Sequence, residues 1–149
     1  MSDNILKLIP SSLTFIPGED SKEKARASIK LLFPLASQVN FGQSDNPEFV
    51  DPGANLERII CPKCFAAINE FWWKKAMDKA YENKFMDLSV FVPCCNSKTS
   101  LNDLKYEWPA GFAQFSIEIV NPDRDILEEE LHEVETILDT KLRRIWSHY

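Results

Sequence analysis

The chain has 149 residues, a formal net charge of −6 and a pI near 5.0, with 44% hydrophobic and 27% charged residues. These proportions are typical of one globular domain, and they argue against both a disordered tail and a membrane-embedded chain. The acidic balance also argues against the basic surface that general nucleic-acid binding requires.

The chain carries no signal for a membrane or for secretion. No apolar run approaches the roughly 20 residues of a membrane span. The first residues, MSDNILKLIP, lack the basic start and the long apolar segment of a secretory signal. We therefore expect a cytoplasmic protein with no membrane association. In such a reducing compartment the four cysteines, all between Cys61 and Cys95, favour metal ligation over disulfides.

The first third of the chain predicts a strand, a helix and a loop. Residues 12–17, SLTFIP, predict a short strand that a Pro-Gly turn ends. A helix should follow, beginning near Asp20 and ending before Pro34, because its apolar residues recur at helical spacing. Residues 43–55 are rich in Asp, Asn, Pro and Gly and predict a surface loop.

The middle of the chain predicts two short strands around a helix. Residues 56–60, LERII, form the first apolar strand candidate, and residues 87–93, DLSVFVP, form the second. Between them, residues 65–84 predict a helix whose apolar stripe includes Ile68, Trp72, Ala76 and Ala80.

The last third predicts a strand and a long helix. In residues 111–122, GFAQFSIEIVNP, apolar and polar residues alternate as in a strand of a sheet with one solvent-exposed face. Residues 125–146 place apolar residues at helical spacing behind an acidic first turn, with cations near the end. Taken together, residues 1–149 predict a single α+β domain: a mainly antiparallel sheet with covering helices and a cysteine knuckle at one edge.

The four cysteines form two pairs, and each pair follows a strand candidate. Cys61 and Cys64 make a CxxC motif after RII, and the adjacent Cys94 and Cys95 follow VFVP. Tight turns at two strand ends can direct thiolates to one zinc ion at about 2.3 Å. Cys61, Cys64, Cys94 and Cys95 are therefore the predicted ligands of a structural zinc.

This pattern resembles a zinc ribbon, set within what otherwise looks like a small bacterial-type α+β protein. The resemblance covers residues 59–64 and 89–120 and implies that residues 112–120 supply a third strand. Residues 65–84 would then be a helical insertion into the ribbon.

The adjacent cysteines depart from a zinc ribbon, which has a second CxxC. Neighbours on a strand point to opposite sides, so Cys94 and Cys95 can reach one metal only if the backbone turns, which Pro93 favours. Three interpretations stay open. All four thiolates bind the metal, or three cysteines bind it with His132, His148 or another group, or the thiols are buried without a metal.

Aromatic residues concentrate near the cysteines, in Trp72-Trp73 and in the segment LKYEWPAGF. Core packing is the simpler interpretation, because such rings bury a large area. In the alternative, Tyr106 and Trp108 form an exposed patch that anchors a partner protein.

The sequence contains no Ser-His-Asp signature, HExxH motif or glycine-rich phosphate loop. We therefore expect a non-enzymatic, zinc-stabilised protein that acts through protein–protein binding. Because the last predicted helix is acidic, an inhibitor of the immunity or antitoxin type is one form of this hypothesis. The alternatives are a metalloenzyme with an open zinc site and a zinc-dependent nucleic-acid-binding module.

Overall fold

The computed structural model describes residues 3–53 and 56–149, in which three helices and eight strands form an α+β fold. No helix in these ranges is long and apolar enough to cross a membrane. The strands are β1 (Asn4–Pro10), β2 (Gln38–Val50), β3 (Ile59–Ile60), β4 (Ser89–Phe91), β5 (Lys98–Ser100), β6 (Lys105–Tyr106), β7 (Gly111–Val120) and β8 (Leu142–His148). The helices are α1 (Glu19–Leu32), α2 (Glu70–Glu82) and α3 (Glu128–Leu138).

The main sheet has four strands in the order β2-β7-β1-β8, and each neighbouring pair is antiparallel. Along the chain its elements run β1-α1-β2-β7-α3-β8. This β-α-β-β-α-β succession is the split βαβ arrangement of ferredoxin-like domains. The remaining elements, β3 to β6 with α2, lie between β2 and β7; residues 51–110 are called the inserted module below. The predicted α+β class with a mainly antiparallel sheet is confirmed.

Helices α1 and α3 cover one face of the main sheet. Leu6 and Leu8 of β1 lie in the same buried cluster as Ile29 of α1 and Val134 of α3. The predicted alternation in β7 is confirmed, because Phe115, Ile117 and Ile119 are buried in that cluster while the residues between them are only partly buried.

The inserted module has a second hydrophobic core of its own. Trp73 and Ala80 of α2 are buried there with Leu88, Val92 and Tyr106. The module is joined to the main sheet by further rings in the same core, among them Phe112 of β7 and Phe49 of β2, whose centroids are 5.1 Å apart.

The first predicted strand and the loop after α1 are corrected by the structure. Residues 12–17 contain no strand, and the first strand is β1 instead, a central strand whose Leu6, Leu8 and Ile9 are fully buried. Much of the predicted loop 43–55 belongs to β2, whose register with β7 shifts between Gln43 and Glu48. Residues 44–47 have no partner on β7 in this register, so the polar stretch forms the irregularity itself. Residues 54–55 of that loop lie outside the described residues.

The two other predicted helices are shorter than expected. Helix α2 begins at Glu70 rather than residue 65, because the Asn69 side chain accepts the Trp72 N–H and caps it. Helix α3 ends at Leu138, and Asp139 adopts a left-handed φ of 59°. The helix predicted as far as residue 146 is therefore wrong beyond that point, where β8 pairs with β1 along seven residue pairs. Strand β1 pairs with β7 along one edge, and the backbone N–H and C=O groups along its other edge also need hydrogen-bond partners. Strand β8 supplies these partners.

Candidate metal centre

Two turns with the same backbone hydrogen bonds carry the four cysteines. In the first knuckle, residues 61–66, the Cys61 N–H donates to the Ala66 carbonyl at 2.9 Å, and the Phe65 N–H donates to the Cys61 carbonyl at 3.0 Å. In the second knuckle, residues 92–97, the corresponding distances are 3.0 and 2.9 Å. The two knuckles are therefore equivalent, residue for residue.

This equivalence explains the adjacent cysteines. The equivalent pairs are Cys61 and Val92, Pro62 and Pro93, Lys63 and Cys94, and Cys64 and Cys95. The first knuckle thus carries its thiols at the first and fourth positions, and the second carries them at the third and fourth. Because the backbone turns after Pro93, the side chains of Cys94 and Cys95 are no longer opposed as they would be on a strand.

All four sulfur atoms lie within 4.8 Å of one another. The Cys64 and Cys94 Sγ atoms are 3.3 Å apart, and the Cys61 and Cys95 Sγ atoms are 3.9 Å apart. Four sulfurs placed tetrahedrally at about 2.3 Å from a zinc ion would be about 3.8 Å from one another. The cluster can therefore hold a metal ion with little rearrangement.

Backbone donors stabilise a thiolate at Cys61. The N–H groups of Lys63 and Cys64 point to the Cys61 Sγ at 3.3 and 3.5 Å. Burial opposes ionisation of this thiol, but the hydrogen bonds from Cys64 and Lys63 outweigh it, with help from neighbouring thiols, and lower the pKa of Cys61 to about 6. Metal ligation requires the thiolate form, so the first knuckle favours it before a metal arrives.

The second knuckle contains one thiol that ionises easily and one that resists ionisation. Hydrogen bonds from the Ser97 side chain and backbone lower the pKa of Cys95. Desolvation raises the pKa of Cys94 to about 12, with further contributions from its contacts with Cys64 and Cys61. A cation at the centre of the cluster would remove the repulsion between neighbouring thiolates.

The centre sits at the edge of the inserted module. Cys61 is fully buried in the module's core, whereas Cys64, Cys94 and Cys95 are exposed. Strand β3, which leads into the first knuckle, pairs with β6, and β4, which leads into the second, pairs with β5. The third strand expected within residues 112–120 is β7, but it pairs with β1 and β2. The two knuckles are thus carried by separate two-stranded ribbons.

Neither histidine completes the centre. In the described part of the chain, the group of potential ligands around these sulfurs contains only the four cysteines. The Nδ1 atom of His148 lies 2.7 Å from the Asn4 Oδ1, and His132 lies on α3 near Glu135. A site of three cysteines and one of these histidines is therefore not formed.

Of the two aromatic residues expected to anchor a partner, one is buried. The Tyr106 hydroxyl accepts the Trp73 indole N–H at 3.2 Å and donates to the Leu101 carbonyl at 2.7 Å. Trp108 is 46% exposed. Sequence reasoning missed the more exposed rings of Phe65, within the first knuckle, and Phe91, just before the second. Their position beside the cysteine motifs was the signal that could have identified them.

The chain matches no protein-family model, no curated protein and no solved structure.

Proposed function

We propose that the protein is a non-enzymatic binding protein in which one zinc ion, held by Cys61, Cys64, Cys94 and Cys95, joins the two knuckles. The observation that carries this proposal is the convergence of four sulfur atoms within 4.8 Å. The thiols come from two turns about thirty residues apart in sequence. A metal at this point ties the two ribbons of the inserted module together.

The donor set favours a structural zinc. Four thiolates in a tetrahedral arrangement select zinc or iron among the common metals, and carboxylate-preferring ions are disfavoured. Four protein ligands also leave no open position for a water molecule or a substrate. A metalloenzyme of the kind considered above would need such a position, so a structural role is the better match.

The exposed rings of the inserted module support a role in binding another protein. Of the six aromatic side chains that are exposed in the described residues, five belong to this module: Phe65, Phe71, Tyr81, Phe91 and Trp108. Exposed aromatic side chains are enriched at protein interfaces. Residues 51–110 also carry eight Lys and Arg against eight Asp and Glu, so the net charge of −6 belongs to the rest of the chain. The module thus offers exposed aromatic side chains on a surface without net charge.

Metal analysis of the purified protein tests the zinc site. We expect about one zinc per chain, and we expect Cys94→Ser to lose it. Lys63→Ser is the matched control, because Lys63 is the equivalent of Cys94 in the other knuckle and offers no thiolate. A wild-type protein without bound metal would overturn the proposal. A Cys94→Ser variant that keeps zinc would overturn the four-thiolate site.

Site-specific crosslinking tests the binding role. A photoreactive amino acid at Phe71, in the inserted module, should give one discrete protein adduct in cells. The same amino acid at Leu31, which is 83% exposed on α1, should not. The crosslinked protein is then purified and mixed with the zinc-loaded chain, and co-elution is expected. Identical adducts from both positions would contradict a binding surface on the module.

A further inference from the structure

An elongated groove of about 520 Å³ separates α2 from β4. Trp72, Ala76 and Ala80 of α2 and Asn83, the residue that caps its end, line the groove at the spacing of a single helical face. This stripe is about 16 Å long at 1.5 Å per residue. Residues 89–91 of β4 form the opposite wall. The groove therefore runs along the helix for three turns and is open at its side rather than closed like a small-molecule pocket.

The wall formed by β4 is an unpaired strand edge. In the described part of the chain β4 pairs only with β5, and no residue of β5 lines the groove. The Leu101 N–H donates to the Leu88 carbonyl, and the Val92 N–H donates to the Ser97 carbonyl. Because bonded pairs alternate in an antiparallel ladder, Phe91 between them directs its N–H and C=O away from β5. These groups are available to another strand.

The groove has a positive rim. Lys75 and Lys79 line it from α2, and neither forms an ion pair with a carboxylate within 4.0 Å in the described residues. The ammonium group of Lys75 rests over the Phe71 ring, 4.5 Å from its centroid. The one acidic residue in the lining is Asp87, whose Oδ1 already accepts the Ser89 N–H at 3.0 Å. Asp87 keeps its negative charge and interacts electrostatically with Lys79, so the lining carries a net charge of +1, and Lys75 is the cation that an acidic ligand meets without a competing carboxylate.

We propose that this groove binds an extended, acidic segment of a partner protein, which adds to β4 as a third strand. Main-chain hydrogen bonds to the edge of β4 would hold the segment in register, as in other cases of strand addition. Side chains alternate along a strand, so one face would meet Ala76, Ala80 and Val90 and would be apolar. The acidic side chains would lie towards Lys75 and Lys79. The inference rests on the proposed binding function and adds that the bound segment of the partner is extended and acidic.

Selection from a displayed library of random peptides, on the zinc-loaded full chain, tests this inference. We expect enriched peptides in which acidic and β-branched residues alternate. A synthetic copy of the best peptide should bind Lys75→Glu/Lys79→Glu at least about tenfold more weakly than wild type, a change of about 1.4 kcal/mol. Lys24→Glu/Lys30→Glu on α1 makes the same charge change outside the groove and should bind as wild type does.

The strand geometry is tested on the same peptide. Two versions of the peptide are compared, each methylated on one of the two alternating sets of backbone nitrogens. One version should lose binding and the other should keep it, because only one set of N–H groups faces β4. Chemical shifts of the backbone amides should change at Ser89 and Phe91. The inference is overturned if no peptide is enriched, or if Lys75→Glu/Lys79→Glu binds the peptide as tightly as Lys24→Glu/Lys30→Glu does. It is also overturned if both methylated peptides bind. Zinc is measured in every sample, so zinc-loaded protein that selects no peptide counts against this inference alone.

Discussion

Val92 occupies in the second knuckle the position that Cys61 occupies in the first, and both side chains are fully buried. The position that would complete a second CxxC is thus filled by a core residue. The missing thiol is supplied two residues later by Cys94, whose Sγ lies 3.3 Å from that of Cys64.

Moving the thiol to the equivalent position should rebuild a symmetric site. We expect Cys94→Ser to lose zinc and Val92→Cys/Cys94→Ser to regain about one ion per chain, because both knuckles then present sulfurs at the first and fourth positions. Zinc content and thermal unfolding of the two variants check this. Should the double variant stay free of metal while folding normally, the equivalence of Val92 and Cys61 would not extend to the direction of their side chains.

Both knuckles close with a residue in the left-handed region: Phe65 at a φ of 65° and Asn96 at 56°. Asparagine tolerates this conformation, whereas a β-branched residue does not. We expect Asn96→Val to lower the free energy of unfolding by about 1–2 kcal/mol. Asn96→Gly, which removes the same amide but accepts a positive φ, should leave stability close to wild type. Chemical denaturation measures both, and equal losses would point to the amide rather than to the backbone.

Removal of the metal should loosen the inserted module and spare the main sheet. The two hydrophobic cores are separate, and the sulfur cluster adjoins only the core that contains Trp73 and Cys61. With a zinc chelator, we expect hydrogen exchange to accelerate about tenfold or more for amides of α2, equivalent to about 1.4 kcal/mol. Exchange in β1 and β7 should stay slow. Uniform acceleration across the chain would show instead that the two cores unfold as one unit.

Tyr106 satisfies two buried groups, so its loss should be costly. Tyr106→Phe leaves the Trp73 indole N–H and the Leu101 carbonyl without their partner. We expect the free energy of unfolding to fall by about 1–3 kcal/mol. Tyr81→Phe is the matched control, since Tyr81 is 70% exposed. Urea denaturation of the two variants compares them, and equal effects would contradict a structural role for the buried hydroxyl.

The same residue should make stability fall in alkali. Burial raises the pKa of Tyr106, and the hydrogen bond from Trp73 offsets this only in part. A pKa raised in the folded state means that stability is fully present below the pKa of the unfolded tyrosine, about 10, and declines above it. We expect wild type to lose up to about 1.4 kcal/mol per pH unit more than Tyr106→Phe above that pH. Denaturation at several alkaline pH values measures the difference, and parallel curves would contradict it.

The last segment shows why a strong pattern can mislead. Leu138, Leu142 and Ile145 stand at helical spacing, and local periodicity therefore extended the last helix to residue 146. In the fold, Leu142 and Ile145 belong to β8 because the edge of β1 requires a strand beside it. Pairing between residues so far apart in sequence leaves no trace in a local window. Strand β1 shows no such alternation because residues on both of its faces are buried, and a short apolar run does not distinguish a strand from a buried helix.

Local patterns in the sequence were enough to predict the class of the fold, the strand within residues 111–122 and the four cysteines that could share a metal. Alternation and strand-end spacing carry those properties locally. The approach of Cys94 and Cys95 to Cys61 and Cys64 is visible only in the folded chain, because it depends on a turn after Pro93 and on two ribbons brought together by a common core. The fold also places both histidines outside the centre. Distances between residues remote in the chain depend on packing, which no short stretch of sequence contains.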